Sequence, residues 1–185
     1  MQAARGASLS ASGDPDTDPA PHDQEAAPPR RIRLFAVVVA LTYVADVVTK
    51  LLAVEFLTGR PDVEVVPGVL ELHLTRNPGA AFSMATGLTV LLSVVAAAVC
   101  VVVVRTAARL RDRGWAVALG LLLGGALGNL TDRLLRSPGP LRGHVVDFLQ
   151  LPHWPVFNVA DSAIVVAAGL VILQSVRGVG VTGRG

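Results

Sequence analysis

The sequence predicts an all-α membrane protein, a bundle of four transmembrane helices carrying a small β-hairpin outside the bilayer. Three observations predict it. Hydrophobic residues make up 52% of the chain and charged residues only 16%, and the mean hydropathy of +0.57 lies well above that of a soluble domain. Four apolar segments each approach the roughly 20 residues a helix needs to cross about 30 Å of hydrocarbon. Arginine and lysine gather at alternate ends of those segments, the pattern of a multi-pass protein.

Residues 1–29 are rich in Ala, Pro, Asp and Ser, with almost no large apolar side chain, and such a composition cannot bury a core. A disordered cytoplasmic tail is expected there, and not a secretory signal, because the tail is acidic and the apolar segment after it is too long. The helices are expected at about 34–54, 88–104, 115–130 and 156–174, inside a domain over 30–176 that a short cytoplasmic tail, 177–185, follows. Arg30, Arg31 and Arg33 precede the first helix, Arg105, Arg109, Arg111 and Arg113 fill the link between the second and third, and Arg177 and Arg184 follow the fourth. Both termini and that link are therefore expected in the cytoplasm. The pI near 9.3 is accounted for by these flanking arginines, without a nucleic-acid partner.

The links at roughly 55–87 and 133–155 then lie outside. In the first, VLELHLT (69–75) alternates apolar and polar residues, and Pro67-Gly68 separates it from Val63 to Val66, which reads as a hairpin resting on the membrane surface. Gly120, Gly124 and Gly128 recur every four residues along the third helix, a spacing for close helix packing. The single cysteine, Cys100, reads as a small core residue, with no disulfide partner.

This topology sends the polar residues to one end. Asp46 and Lys50 fall in the outer half of the first helix; Asn129, Asp132 and Arg133 cap the outer end of the third; Asn158 and Asp161 begin the fourth; Asn77 and Asp147 lie in the outer loops. Ionisable groups at membrane depth are costly and are functional candidates by default. Helical spacing points Asn129, Asp132 and Arg133 one way, and pairs Asp46 with Lys50 at i,i+4 in the favourable acid-first order; Asp132 can be neutralised by its neighbour Arg133. Asp147 and Asp161 have no basic residue within a helical turn. Two such acids brought together cannot both ionise cheaply, and one proton is then shared between them.

DVVTK (46–50), NPGAAFS (77–83), GNLTDR (128–133), VVDF (145–148) and FNVADS (157–162), in this order, resemble the motif set of the bacterial prolipoprotein signal peptidases, the type II signal peptidases, over residues 34 to about 174. The resemblance implies a monomeric four-helix aspartic endopeptidase of the cytoplasmic membrane, without metal or other cofactor. It would act on diacylglyceryl-prolipoproteins beside membrane lipid, cutting just before the lipid-modified cysteine. It implies Asp147 and Asp161 as the catalytic pair, Asn77, Asn129, Arg133 and Asn158 as a polar shell around the substrate, and Asp46, Lys50 and Asp132 as supports. The acidic tail and the length of LLRSPGPLR between Arg133 and Gly143 depart from the pattern.

Other chemistries use the same residues. A serine–lysine peptidase could pair Ser83 or Ser162 with Lys50, and a metallopeptidase could use His144, Asp147, His153 and Asp161, though no His-Glu-x-x-His pair is present. A small transporter or channel would spread its polar groups through the membrane depth. The convergence on one end rests on topology, which cysteine labelling tests. With Cys100 replaced, Ser137→Cys should react with a membrane-impermeant reagent in intact cells and Arg109→Cys should not; the opposite result would dissolve the convergence.

Overall fold

The computed structural model describes residues 30–79 and 86–183; the tail 1–29, Ser83 and Arg184 lie outside them. Among the described residues are four helices long and apolar enough to cross a membrane: α1 (Ile32–Leu57), α2 (Thr86–Ala107), α3 (Arg113–Leu135) and α4 (Val159–Val176). At 1.5 Å per residue α1 is about 39 Å long. Each helix runs a little beyond its predicted limits at one end or both, except that α4 starts three residues late. Its start is set by Asn158, whose side chain accepts from the Asp161 amide while the Asp161 carboxylate accepts from the Asn158 amide, a reciprocal capping box. Asp112 caps α3 through the Trp115 amide at 2.9 Å.

The core is built around α3. Gly120, Gly124 and Gly128 lie against Val38, Thr42 and Asp46 of α1, so both contact rows advance by four residues in the same direction and the two helices run parallel. On another face Gly125 abuts the Ala160 carbonyl and Ile164 of α4, and Gly114 abuts Gln174, which sets α4 antiparallel to α3. Small residues allow these close approaches in lipid, where dispersion and hydrogen bonds, not water, drive association. Phe35, Cys100, Val103, Leu110, Leu119 and Leu123 form one buried cluster, in which Cys100 is the core residue the sequence predicts.

The extramembrane part is a three-stranded antiparallel sheet, β1 (Val63–Val66), β2 (Leu70–Asn77) and β3 (Val145–Gln150), in the order β1-β2-β3. The hairpin is as predicted; the third strand is not. Asn77 and Asp147, expected in loops, stand on β2 and β3. The alternation of β3 buries Val146 and Phe148 with Ala53 and Leu57 of α1 and with Leu72 and Leu74 of β2, which turns Val145 and Asp147 to the other face. A period of two thus seats the sheet and presents the acid. α3 also continues past its predicted end, so Asn129, Asp132 and Arg133 lie within the helix rather than capping it.

A Cβ at Gly128 would collide with the buried Asp46 carboxylate, whereas one at Gly169 of α4 meets nothing. Gly169→Ala should therefore be neutral or stabilise by up to about 1 kcal/mol through helix propensity, and Gly128→Ala should destabilise by about 1–3 kcal/mol through overpacking. Thermal unfolding in detergent measures both; equal melting temperatures would refute the close approach.

Candidate active site

The site is assembled from the α1–α3 contact outward. Asp46 and Lys50, one turn apart, are 0% and 1% exposed, and their ion pair is 2.8 Å. The ammonium also reaches Asp132 Oδ2 of α3 at 3.1 Å and donates to Asn129 Oδ1 at 2.8 Å. Three oxygens thus surround the ammonium, one by hydrogen bond and two by ion pairing. Each partner carries the network further. Asp46 Oδ1 accepts from the Ala160 amide in the first turn of α4 at 2.9 Å, where the helix dipole favours an anion. Asp132 Oδ2 accepts from the Val146 amide of β3 at 3.1 Å, and its other oxygen pairs with Arg136.

The predicted pairing of Asp132 with Arg133 is not what forms. Neighbouring residues on a helix do not face each other; Asp132 turns toward α1, while Arg133, one step around, donates to the Gly143 carbonyl at 3.2 Å. For the same reason the three polar residues of α3 do not all point one way: Asn129 and Arg133 line the central cavity, and Asp132 does not.

Asp147 and Asp161 meet across that cavity, which holds about 430 Å³. Asp147 is 1% exposed; its oxygens accept from Asn158 Nδ2 at 2.6 Å and Asn77 Nδ2 at 2.9 Å. Asn77 faces Val145 across the sheet, on the same face as Asp147, which puts its amide within reach. Asp161 accepts from Asn129 Nδ2 at 2.8 Å and from the Asn158 amide at 3.2 Å. Asn158 thereby touches both acids. Burial pushes the Asp147 carboxyl up to about 6, with the charge of Asp161 adding to the rise and the bonds from Asn77 and Asn158 opposing it. All nine predicted site residues belong to this one network or cavity.

Below the acids the cavity wall is apolar: Leu92, Val95, Ala96 and Val99 of α2, Leu122 and Ala126 of α3, and Ile164 of α4. These residues carry no local signal in a sequence whose helices are apolar on every side. Also unforeseen are Arg136, although its i,i+4 spacing from Asp132 is visible, and two anchors on α2. Thr89 donates to the Pro78 carbonyl at 2.6 Å, steadying the turn after Asn77, and Ser93 donates to the Leu141 carbonyl at 2.8 Å, holding the loop between α3 and β3.

Among the described residues the alternative pairings are not brought together, and Ser83 lies outside them. Ser162 donates back to the Asn158 carbonyl, and Lys50 is held by Asp46, Asp132 and Asn129. His153 lines a separate polar recess of about 140 Å³ beside the hairpin, with Glu64, Glu71 and Gln150.

Residues 38–177 match the sequence profile of the family described as signal peptidase (SPase) II. A lipoprotein signal peptidase of Mycolicibacterium smegmatis is 51% identical over 167 residues, covering 89% of this chain and 71% of the relative. Another, of Rhodococcus jostii, is 52% identical over 150 residues, covering 80% and 75%. A solved structure described as a bacterial membrane enzyme is similar with a TM-score of 0.69 and 26% identity, over 80% of this chain and 96% of that one. The matched region reaches into all four helices and includes both cavity aspartates, and the chain belongs to the signal peptidase II family.

Proposed function

We propose that this protein is an aspartic endopeptidase that removes the signal peptide from prolipoproteins, cutting before the diacylglyceryl-modified cysteine, with Asp147 and Asp161 as its catalytic pair. The observation that carries the reading is the pair itself: two carboxylates from different elements, bridged by Asn158 and facing one cavity that is polar at one end and apolar along α2, α3 and α4. A lipid-anchored peptide requires both surfaces, one for its acyl chains and apolar signal segment and one for the peptide bond to be cut.

One carboxylate takes a proton from water, whose oxygen attacks the scissile carbonyl carbon while the protonated carboxyl donates to the carbonyl oxygen. The gem-diol collapses with the two protons returned, one to the leaving amine and one to the acid that had donated. Both carboxyls end as they began, and no covalent enzyme adduct forms. Asn77, Asn129, Asn158 and Arg133 offer donors and acceptors to a peptide backbone that lipid cannot satisfy, and Asp46, Lys50 and Asp132 support them. The positive-inside pattern supports an active site toward the outer leaflet of the cytoplasmic membrane, with both termini inside. Val63, Val65 and Val66 of β1, with Trp154, expose apolar surface beside that end, which suits contact with lipid headgroups and acyl chains.

Asp147→Asn and Asp161→Asn should each lose about 10²- to 10⁴-fold in cleavage of a diacylated prolipoprotein by purified enzyme, the range of general acid–base catalysis. The double variant should be scarcely worse, because the pair works as one unit, and Ser162→Ala should stay near wild type. Near-normal turnover by either single aspartate variant would end the proposal.

The pH profile carries a signed test. Asp147 is pushed up to about 6, so the pair keeps a proton below that pH and loses it as pH rises, which sets an alkaline limb of kcat/KM in the free enzyme. Asn77 bonds to the ionised form and holds the value down. Asn77→Ala should therefore move the alkaline limb to higher pH; a shift to lower pH would contradict the assignment.

A further inference from the structure

The proton-sharing pair is built unevenly. Asp161 sits in the first turn of α4, where it accepts the Asn158 amide at 3.2 Å and where the helix dipole favours negative charge. Asp147 is on a strand, which has no such dipole, and is 1% exposed, while Asp161 is only partly buried. The side-chain donor to Asp161 comes from Asn129, and an asparagine amide has two ends that can exchange places by rotation. Nδ2 faces Asp161 at 2.8 Å while Oδ1 is claimed from the other side by the Lys50 ammonium, also at 2.8 Å, and by the longer bond from Asn158 Nδ2 at 3.2 Å. An ammonium can only donate. The rotated amide would set two donors nose to nose at Lys50 and two acceptors at Asp161.

We infer that Lys50 is a positioning residue for the reaction: through Asn129 it fixes the amide that holds Asp161 as the ionised, water-activating member of the pair, so that the shared proton stays on Asp147. The inference rests on the aspartic-peptidase reading above. Lys50 touches neither carboxyl in a bond of its own. It acts through orientation and by polarising the Asn129 amide along the line from its positive charge to Asp161. In the forward step Asp161 takes the proton from water as the water oxygen bonds to the carbonyl carbon, and Asp147 gives its proton to the carbonyl oxygen. In the second step Asp161 passes its proton to the leaving nitrogen and Asp147 recovers one from a gem-diol hydroxyl, as the carbon–nitrogen bond breaks.

The charged groups around Asp161 are Asp147 on β3, Arg133 and Asp132 on α3, and Asp46 and Lys50 on α1. The Arg133 guanidinium acts on both members of the pair, more strongly on Asp147 than on Asp161, so it is not the group that favours a charge on Asp161. Asp46 and Asp132 are bound to Lys50 and offset part of its charge; the remainder acts directly on Asp147 and lowers it, so the lysine favours Asp161 through the Asn129 hydrogen bond and not through its field.

The test is the acid limb of kcat/KM, which reports ionisation of the base. Lys50→Met should lower kcat about 10- to 100-fold, the usual cost of removing an orienting partner, with KM little changed, and should move the acid limb up by about one pH unit, because a lost cation and donor disfavour the carboxylate. Asn129→Ala should move the same limb in the same direction, and the Lys50→Met/Asn129→Ala double variant should be no worse than the poorer single, since the lysine acts through the asparagine. Because Lys50→Met strands two buried acids, Lys50→Met/Asp46→Asn is measured beside it, with one charge of each sign removed. An acid limb unmoved in the compensated variant, or losses that multiply in the Lys50/Asn129 double, would overturn the inference while leaving the dyad intact. If neither lysine variant inserts and folds, Asn129→Ala decides alone, and an unshifted limb in it overturns the inference. Normal turnover by Asp147→Asn or Asp161→Asn would instead sink the reading on which it rests.

Discussion

Three acceptors around one buried ammonium organise the polar end of this molecule. Lys50 is 1% exposed and binds Asp46, Asp132 and Asn129; from these the chain of bonds passes to the Ala160 amide at the start of α4, to the Val146 amide of β3 and to Asp161. Two helices besides α1, and one strand, are thereby tied to a single ion. A buried ion pair is a poor source of net stability, because desolvation offsets the Coulomb attraction, but removing one partner commonly costs about 3–5 kcal/mol.

Two kinds of surface had to be reconciled around that ion. Peptide hydrolysis uses charge, a polar backbone grip and water, all of which hydrocarbon penalises. The fold answers by gathering polar groups at one end of the bundle and roofing them with a small sheet. The alternation of β3 does both tasks, since Val146 and Phe148 seal the sheet against α1 while Asp147 faces the cavity. The glycine row of α3 does likewise: its first two members admit Val38 and Thr42, and its third admits the Asp46 carboxylate. Close packing and charge placement are one feature.

Much of this was legible in the residues, and the exceptions have physical causes. The four spans and the hairpin follow from hydropathy and alternation, which are local properties. Strand β3 was not visible because VVDFLQ is apolar apart from Asp147 and the terminal Gln150, and its partner strand lies about 70 residues earlier, at Thr75 opposite Asp147. The true partners of Asp132 escaped for a related reason. One, Lys50, comes from another helix, and the adjacent Arg133 offered a charge match that helical geometry forbids. The nine polar site residues were found because ionisable and amide groups stand out against an apolar background. The apolar cavity wall was not, since Leu92, Val95 and Ile164 resemble every other residue of their helices.

The acid and base of α1 are neighbours within one helix, four residues apart, and this has a consequence for biogenesis. When α1 leaves the ribosome α3 and α4 have not yet been made and cannot receive its charges, and a lone Asp or Lys at mid-membrane costs roughly 2.5–3.5 kcal/mol on insertion scales. Asp46 and Lys50 can neutralise each other inside the segment as it partitions, so the first helix carries its own counterion into the bilayer. Asp132 and Asn129 arrive only with α3, and Asp161 only with α4. The hydrogen-bonded network described above is therefore complete only once α4 is in place.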